Sequence, residues 1–222
     1  MNFLQNHDQV GNRAFGERLT ALAAPDALRA AAAVLLLAPS PPLVFMGEEY
    51  GCEQPFAFFC DFGPELARAV TEGRRNEFAR FERFRSPAMR EKIPDPNAAA
   101  TFEAARLDWD RIRSPAHAAW LALYRELLSV RAGRIVPLLA ALVPGAARHE
   151  VLAERALRVE WPRADGTRLA LAANLGPEAF GTGASAPGEI IHALPAAAAA
   201  EWKSGNWLPW SAVWSLHAEA RA

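Results

Sequence analysis

The sequence predicts an α/β fold, with a parallel strand-helix-strand unit in its first half and a small antiparallel β domain at its end. Two observations predict this arrangement. Short apolar runs at 2–5 and 43–46 flank a helical segment that begins at Pro25, and this is the order of elements in a parallel sheet. From about residue 150 onward, apolar side chains alternate with polar ones, which is typical of strands that bury one face.

The composition is that of a folded protein and argues against several function classes. Of the 222 residues, 51% are hydrophobic and 22% are charged, and the formal net charge is −1. Without an excess of positive charge, a nucleic acid partner is not expected. The longest apolar stretch, 30–38, is about half the ~20 residues that a membrane helix needs. The first residues do not follow the signal-peptide pattern, so we expect a cytoplasmic protein with no membrane partner.

Cysteine and histidine spacing gives no support for a disulfide framework or a metal centre. Cys52 and Cys60 are the only cysteines, and they form neither a Cys-x-x-Cys pair nor a Cys/His ligand pattern. We interpret both as reduced structural thiols. The five histidines are scattered, with no two of them four residues apart. We therefore expect no metal and no other cofactor.

The first strand-helix pair contains the candidate chemistry. Segment 2–5 predicts a very short strand that leads into Asn6-His7-Asp8-Gln9 and then a glycine-bearing loop at 11–16. Pro25 opens a helix, since proline is tolerated at the first helical position, and Pro39 ends it.

The next elements are predicted from turn residues and apolar spacing. The run 43–46 suits a strand buried on both faces, and 47–51, Gly-Glu-Glu-Tyr-Gly, follows it as a loop. Segment 64–84 predicts a charged helix with a break at Gly73. Ser114-Pro115 is a strong helix start, with serine as N-cap and proline at the first position.

The last part of the chain predicts antiparallel strands. The helix from Ser114-Pro115 should end near Gly133. Alternation at 157–161 and at 169–173 predicts two strands, and Asp165-Gly166 between them is a hairpin turn signal. Two further strands are predicted at 188–194 and 207–216.

Asp8 is the residue on which the functional reading depends. It follows the carboxyl end of a predicted strand, which is the edge where catalytic side chains collect in parallel α/β folds. Taken by itself, an aspartate at this position is more often a turn or helix-capping residue.

The neighbours of Asp8 form a longer motif, Phe3-Leu4-Gln5-Asn6-His7-Asp8-Gln9-Val10-Gly11-Asn12-Arg13, followed by Gly16-Glu17-Arg18-Leu19. This motif resembles the seventh-strand motif of the α-amylase superfamily of glycoside hydrolases, in the extended form found in its trehalohydrolases. Segment 42–51, Pro-Leu-Val-Phe-Met-Gly-Glu-Glu-Tyr-Gly, is similar to the eighth strand and its loop. Further similar blocks follow in order, at 55–59, 73–78 and from 93–96 to 107–109.

The resemblance, which spans nearly the whole chain, implies a fold. It implies an incomplete (β/α)8 barrel, namely strands 7 and 8 with their helices, followed by a small antiparallel β-sandwich domain. Residues 1–135 would be the C-terminal portion of a TIM-type catalytic barrel, and residues 150–222 would be a C-terminal all-β domain.

The resemblance also implies an activity. Such enzymes are retaining hydrolases that cleave the α-1,4 bond next to the terminal trehalose of maltooligosyltrehalose or a related α-glucan. Asp8 would be the third family carboxylate, which holds the hydroxyls of the distorted sugar and stabilises the transition state. His7 would donate a hydrogen bond to the same sugar. The other candidate substrate-binding residues are Asn6, Gln9, Arg13 and Glu49; for the last three, an ordinary loop or salt-bridge role fits equally well.

In this family, the first six strands carry the nucleophile, the arginine beside it and the general acid. The resemblance in this chain begins at the seventh strand. We therefore expect the isolated chain to be inactive, with the missing groups supplied by a longer gene product or by a separate N-terminal barrel chain. The alternative is a non-enzymatic carbohydrate-binding or interaction module, in which Trp202, Trp207, Trp210 and Trp214 present their rings to sugars. The alternation from Trp210 to Leu216 favours burial in the β core instead.

Overall fold

The structure is a computed structural model that describes residues 1–183 and 188–218. In these residues the helices are α1 (His7–Gly11), α2 (Leu19–Leu22), α3 (Pro25–Leu37), α4 (Pro64–Phe78), α5 (Pro87–Glu91), α6 (Ala99–Ala104), α7 (Pro115–Val130), α8 (Val136–Leu139) and α9 (Ala198–Lys203). The strands are β1 (Arg148–Ala153), β2 (Ala156–Pro162), β3 (Arg168–Asn174), β4 (Phe180–Gly181), β5 (Glu189–Leu194), β6 (Asn206–Trp207) and β7 (Ser211–His217).

The chain divides into two compact units that do not follow chain order. The first, here called the sheet unit, contains Met1–Leu4, Ala23–Leu43 and Ala122–Ala222. The second, here called the motif unit, contains Gln5–Leu22 and Val44–Leu121. The Asn6-His7-Asp8 motif and the Gly47–Gly51 turn therefore lie in the same unit.

The sheet unit contains a five-stranded antiparallel sheet in the order β1-β2-β3-β7-β5, together with the pair β4-β6. The antiparallel strands expected from the alternating sequence are thus confirmed, and β2 and β3 form the hairpin around Asp165-Gly166. Strand β1 was not separately predicted. The predicted strand at 207–216 is interrupted, because β6 ends at Trp207 and β7 begins at Ser211.

One face of this sheet packs on α3, which begins at Pro25 as predicted. Trp214 is fully buried there, stacks on Trp161 with ring centroids 5.5 Å apart, and donates its indole N–H to the carbonyl of Ala33 at 3.1 Å. A buried indole N–H needs such a partner. The contact fixes the helix against the centre of the sheet.

The C-terminal end of α3 is held by Arg131, which lies in a π-helical turn, Arg131–Ile135, that follows α7. Its guanidinium donates to the carbonyls of Leu36 at 2.9 Å and Ser40 at 3.0 Å, and also to that of Ala38. These carbonyls have no partner within the helix. The turn also means that the α-helix begun at Pro115 ends at Val130, shortly before the predicted end.

The apolar segments 2–5 and 43–46 form no strand ladder in the described residues. They meet at one parallel bridge between Asn2 and Pro42, with the Leu43 N–H donating to the Asn2 carbonyl at 2.8 Å. Two short parallel segments are a poor sheet, because each has only one neighbour.

The motif unit is rich in short helices and aromatic contacts. Helix α4 runs through Gly73 without interruption, so the predicted break is wrong. Gly73 is exposed and its backbone stays helical, which costs about 1 kcal/mol relative to alanine but does not end a helix. The helix ends at Phe78, earlier than predicted, where Phe78 enters a buried cluster with Phe84 and Ile93.

No helix in the described part of the chain is both long and apolar enough to cross a membrane.

Candidate functional site

The Asn6-His7-Asp8 motif begins a short helix, α1, where the sequence predicts a loop after a strand. Asn6 is the N-cap, and its side-chain oxygen accepts the backbone N–H of Gln9 at 2.8 Å. Asp8 lies in the first turn, where a negative charge interacts favourably with the helix dipole. The interpretation of Asp8 as a turn or helix-capping residue is therefore partly correct: Asp8 lies at a helix start, but Asn6 makes the cap.

Asp8 and His7 are exposed and close to each other. Their side chains are 72% and 70% exposed, and Nε2 of His7 lies 3.3 Å from Oδ1 of Asp8. A polar contact this exposed adds little to the stability of a fold. The fold thus makes little use of either side chain, which leaves both able to contact a ligand.

The other end of α1 is fixed by Arg74 from α4. One guanidinium nitrogen donates to the carbonyl of Gly11 at 2.7 Å and to that of Arg13 at 2.8 Å. The guanidinium also lies over the rings of Phe58 and Phe78, 5.3 Å from each centroid. Burial lowers the pKa of Arg74 below its usual value. Arg74 therefore positions the helix that carries Asp8.

Arg18 connects the segment after α1 to the segment before the Gly47–Gly51 turn. It is fully buried, and donates from Nε to the Gln54 carbonyl at 2.6 Å and from Nη1 to the Met46 carbonyl at 2.8 Å. Its guanidinium lies 4.8 Å from the ring centroid of Phe45. A buried guanidinium is tolerated only with such partners, so this side chain ties the two predicted motifs together.

The Gly47–Gly51 turn is a 3₁₀ helix, Glu48–Tyr50, between two left-handed glycines with φ of 83° and 70°. A Cβ at Gly47 would lie 2.7 Å from Cβ of Cys52, so only glycine fits. The turn buries Glu48 and leaves Glu49 partly exposed. Burial raises the pKa of Tyr50 above its usual value, and the neighbouring Cys52 and Glu49 raise it further.

Two side chains from the start of α7 hold this turn. The Trp120 indole donates to the Glu48 carbonyl at 2.8 Å, and Nδ1 of His117 lies 2.8 Å from the Tyr50 carbonyl oxygen. The position of Glu49 is thereby fixed through both of its neighbours in the sequence.

The predicted site residues are only partly brought together. Asn6, His7, Asp8 and Gln9 share one helix start, whereas Arg13 donates from Nη1 to the backbone carbonyl of Glu17 at 2.7 Å. In the part of the chain that the structure describes, no hydrogen bond or ion pair joins Glu49 to these residues.

Sequence reasoning missed the two positioning arginines. Arg18 is contained in the extended motif and Arg74 in the 73–78 block, so both lie in segments that the resemblance had singled out. Nothing in their spacing indicated that they bind backbone carbonyls of other segments.

Most of the tryptophans proposed for the alternative module are not available to a sugar. Trp202, Trp207 and Trp214 are 5%, 6% and 0% exposed, and Trp210 is half-buried. The first two belong to a hydrophobic cluster with Val213. These three rings are therefore buried, and for Trp214 this agrees with the burial that the alternation from Trp210 to Leu216 predicts.

No group of three or more histidine, cysteine, aspartate or glutamate side chains that could hold a metal ion occurs within residues 1–183 and 188–218.

Comparison with known proteins gives three findings. Residues 144–214 match a family described as a domain of unknown function, DUF3459. Malto-oligosyltrehalose trehalohydrolase of Arthrobacter ramosus is 45% identical over 130 residues, which are 58% of this chain and 22% of that protein. The protein of the same name from Deinococcus radiodurans is 43% identical over 128 residues, 58% of this chain and 21% of that protein. The chain thus spans about a fifth of the length of these relatives.

Solved structures agree with the sequence relatives. The crystal structure of "Putative alpha Amylase" from Salmonella typhimurium matches with a TM-score of 0.85 and 41% identity, over 97% of this chain and 34% of that chain. Isomaltulose synthase from Erwinia rhapontici, at 15% identity and a TM-score of 0.58 over 98% of this chain and 42% of that chain, shares the fold. The resemblance to trehalohydrolases of the α-amylase superfamily is therefore confirmed.

Proposed function

We propose that this chain, a homologue of the malto-oligosyltrehalose trehalohydrolases, is the C-terminal part of a retaining glycoside hydrolase. The reaction is cleavage of the α-1,4 bond next to the terminal trehalose of maltooligosyltrehalose, with release of trehalose. In this proposal residues 1–135 provide strands 7 and 8 of a (β/α)8 barrel, and residues 150–222 form a β-sandwich domain that also contains the short helix α9. The parallel bridge between Asn2 and Pro42 supports this, since a complete barrel would extend such a pairing.

The observation that carries the proposal is the state of Asp8. Its side chain is 72% exposed, and the His7 imidazole is the one basic group within contact distance of the carboxylate in the described residues, although α1 is fixed at both ends, by Asn6 and by Arg74. A carboxylate that is held in place but not used by the fold is suited to bind substrate. The 40–45% identity to trehalohydrolases supplies the substrate class.

Asp8 and His7 would act on the sugar at the cleavage site. The Asp8 carboxylate accepts hydrogen bonds from sugar hydroxyls, and these bonds tighten as the ring distorts towards an oxocarbenium-like transition state. His7 donates to the same sugar. Interactions that are stronger in the transition state than in the ground state raise the rate and not only the affinity.

The two carboxyl groups that break the bond in a retaining mechanism would come from segments outside these 222 residues, either upstream in a longer product or on a separate barrel chain. The 222-residue chain alone is then inactive. Asn6, Gln9, Arg13 and Glu49 are secondary substrate-binding candidates. Arg13 donates from Nη1 to the Glu17 carbonyl, which orients the side chain and leaves its other guanidinium N–H groups to bind substrate. We place the protein in the cytoplasm, consistent with its two free cysteines.

The test is Asp8→Asn in the active protein that contains this chain. We expect kcat to fall by about 10²–10³, the usual loss for one transition-state hydrogen-bonding group, with only a small loss of thermal stability, because the side chain is exposed and its interaction with the helix dipole is weak. Asp26→Asn is the control, since Asp26 is also an exposed aspartate in the first turn of a helix. Trehalose release by Asp8→Asn equal to that by Asp26→Asn would refute the proposal.

A further inference from the structure

We propose that Arg74 is a positioning residue for the hydrolysis: it sets the reaction rate by holding Asp8 in place and does not itself contact the sugar. This inference rests on the proposed function, because it concerns the same carboxylate. It makes the rate depend on a side chain of α4, more than sixty positions later in the chain than the helix it holds.

Helix α1 is too short to keep its geometry without help. It has five residues, His7–Gly11, whereas isolated helices shorter than about 12–15 residues are marginal in water. Its first turn is capped by Asn6, which accepts the Gln9 N–H at 2.8 Å. Its last turn is held by Arg74. The direction in which α1 presents Asp8 therefore depends on these two contacts.

A short chain of hydrogen bonds connects Arg74 to Asp8. The Asn12 N–H donates to the Asp8 carbonyl at 2.9 Å and closes the last turn of α1. This N–H belongs to the same planar peptide group as the Gly11 carbonyl, which accepts from Nη2 of Arg74 at 2.7 Å. The same nitrogen also donates to the Arg13 carbonyl at 2.8 Å. Arg74 thus orients the peptide group that bonds the backbone of Asp8.

Arg74 is held there without an ion pair in the residues that the structure describes. Its guanidinium lies over the rings of Phe58 and Phe78. Burial lowers its pKa, and the charge of Glu77 opposes this effect only in part. Burying a charge without an ion pair costs free energy, whereas the carbonyls at an exposed helix end can bond to water. Such a costly contact fits a side chain that fixes geometry.

Arg90 provides a matched case of the same contact away from Asp8. It is also half-buried and lies in the same unit. Its Nη1 donates to the carbonyls of Phe84 and Arg85, at 3.0 and 2.7 Å. Because neither carbonyl belongs to α1, removal of the Arg90 guanidinium shows what the loss of a carbonyl-binding arginine does to the unit alone.

The test is Arg74→Met in the active protein that contains this chain, with Arg90→Met as the control. We expect Arg74→Met to lower kcat by about 10- to 100-fold, because a displacement of about 1 Å at a reacting centre can cost about 10²-fold. KM should change by less than about threefold, since Asp8 acts mainly in the transition state. Arg90→Met should lower kcat by less than about twofold. Arg74→Lys should lose only about two- to fivefold, because one ammonium group can donate to both carbonyls.

Asp8→Asn provides the background that separates positioning from stability. If Arg74 acts through the Asp8 carboxylate, Arg74→Met should lower kcat by less than about twofold further in Asp8→Asn. A role in stability alone would give the same loss in both backgrounds, and this result would overturn the inference. Equal kcat values for Arg74→Met and Arg90→Met would also overturn it. Arg74→Lys in both backgrounds decides the question if Arg74→Met does not fold.

Hydrogen exchange of residues 7–13 gives a readout that does not depend on the reaction. Their amides should exchange faster in Arg74→Met and at an unchanged rate in Arg90→Met. Unchanged exchange in Arg74→Met would overturn the inference, because α1 would then be held without Arg74. A slow Asp8→Asn variant together with a normal kcat for Arg74→Met would leave the proposed function standing and remove only the positioning role. Full activity of Asp8→Asn would refute both.

Discussion

Gly16→Ala is predicted to destabilise the motif unit, whereas Gly73→Ala is predicted to stabilise it. Gly16 has a φ of 65°, and a Cβ built there lies 2.1 Å from the backbone nitrogen of Ala57. The left-handed conformation costs a residue with a side chain about 1–2 kcal/mol. The clash involves backbone that cannot rotate away, and overpacking of this kind costs about 1–3 kcal/mol more. We therefore expect a loss of about 3 kcal/mol in the free energy of unfolding.

Gly73 provides the opposite case in the same unit. It lies inside α4, it is exposed, and a Cβ there meets no atom within 4 Å. Alanine in a helix interior is favoured over glycine by about 0.5–1 kcal/mol. Gly73→Ala should therefore raise the free energy of unfolding by that amount.

Both variants can be measured by urea unfolding followed by far-UV circular dichroism. The close approach of Gly16 to the 55–59 segment packs the loop after α1 against that segment, so the Gly16 result also tests this contact. An unfolding midpoint for Gly16→Ala equal to that of the unaltered chain would refute the reasoning. So would a Gly73→Ala variant that is less stable than the unaltered chain.

Two further predictions concern the sheet unit. Arg131→Met should lower the free energy of unfolding by about 1–3 kcal/mol, because partly buried carbonyls at the end of α3 lose their donors. Arg134→Met, which breaks an exposed pair with Glu189, should cost less than about 1 kcal/mol by the same urea assay. Stability should also fall as pH drops below 6.5. Burial lowers the pKa of His192 and of His217 in the folded chain, so the unfolded chain takes up protons first. Replacing both histidines by glutamine should flatten this dependence, and an unchanged slope would contradict the assignment.

The sequence predicted those elements whose signals are local. Helix α3 starts at Pro25 and the β2–β3 hairpin turns at Asp165-Gly166, because proline and the Asp-Gly pair act on their own backbone. The motif at Asp8 was recognised from its residues, and its exposure is consistent with the role that the resemblance implies.

The features that the sequence did not predict depend on contacts between residues that are far apart in the chain. Helix α1 extends over residues expected to form a loop, and Arg74, more than sixty positions later in the chain, bonds the carbonyls at its end. The helix through Gly73 persists because nothing there requires a turn. One cavity is lined by Met46, Phe56 and Trp109, which no periodicity connects.

Trehalose release from maltooligosyltrehalose, measured with the purified 222-residue chain alone and after addition of a chain that carries the first six barrel strands, tests the central claim most directly. We expect no release by the chain alone and release by the mixture, slowed by about 10²–10³-fold when Asp8 is replaced by asparagine. Release by the chain alone would contradict the account, and so would a mixture that remains fully active with Asp8→Asn.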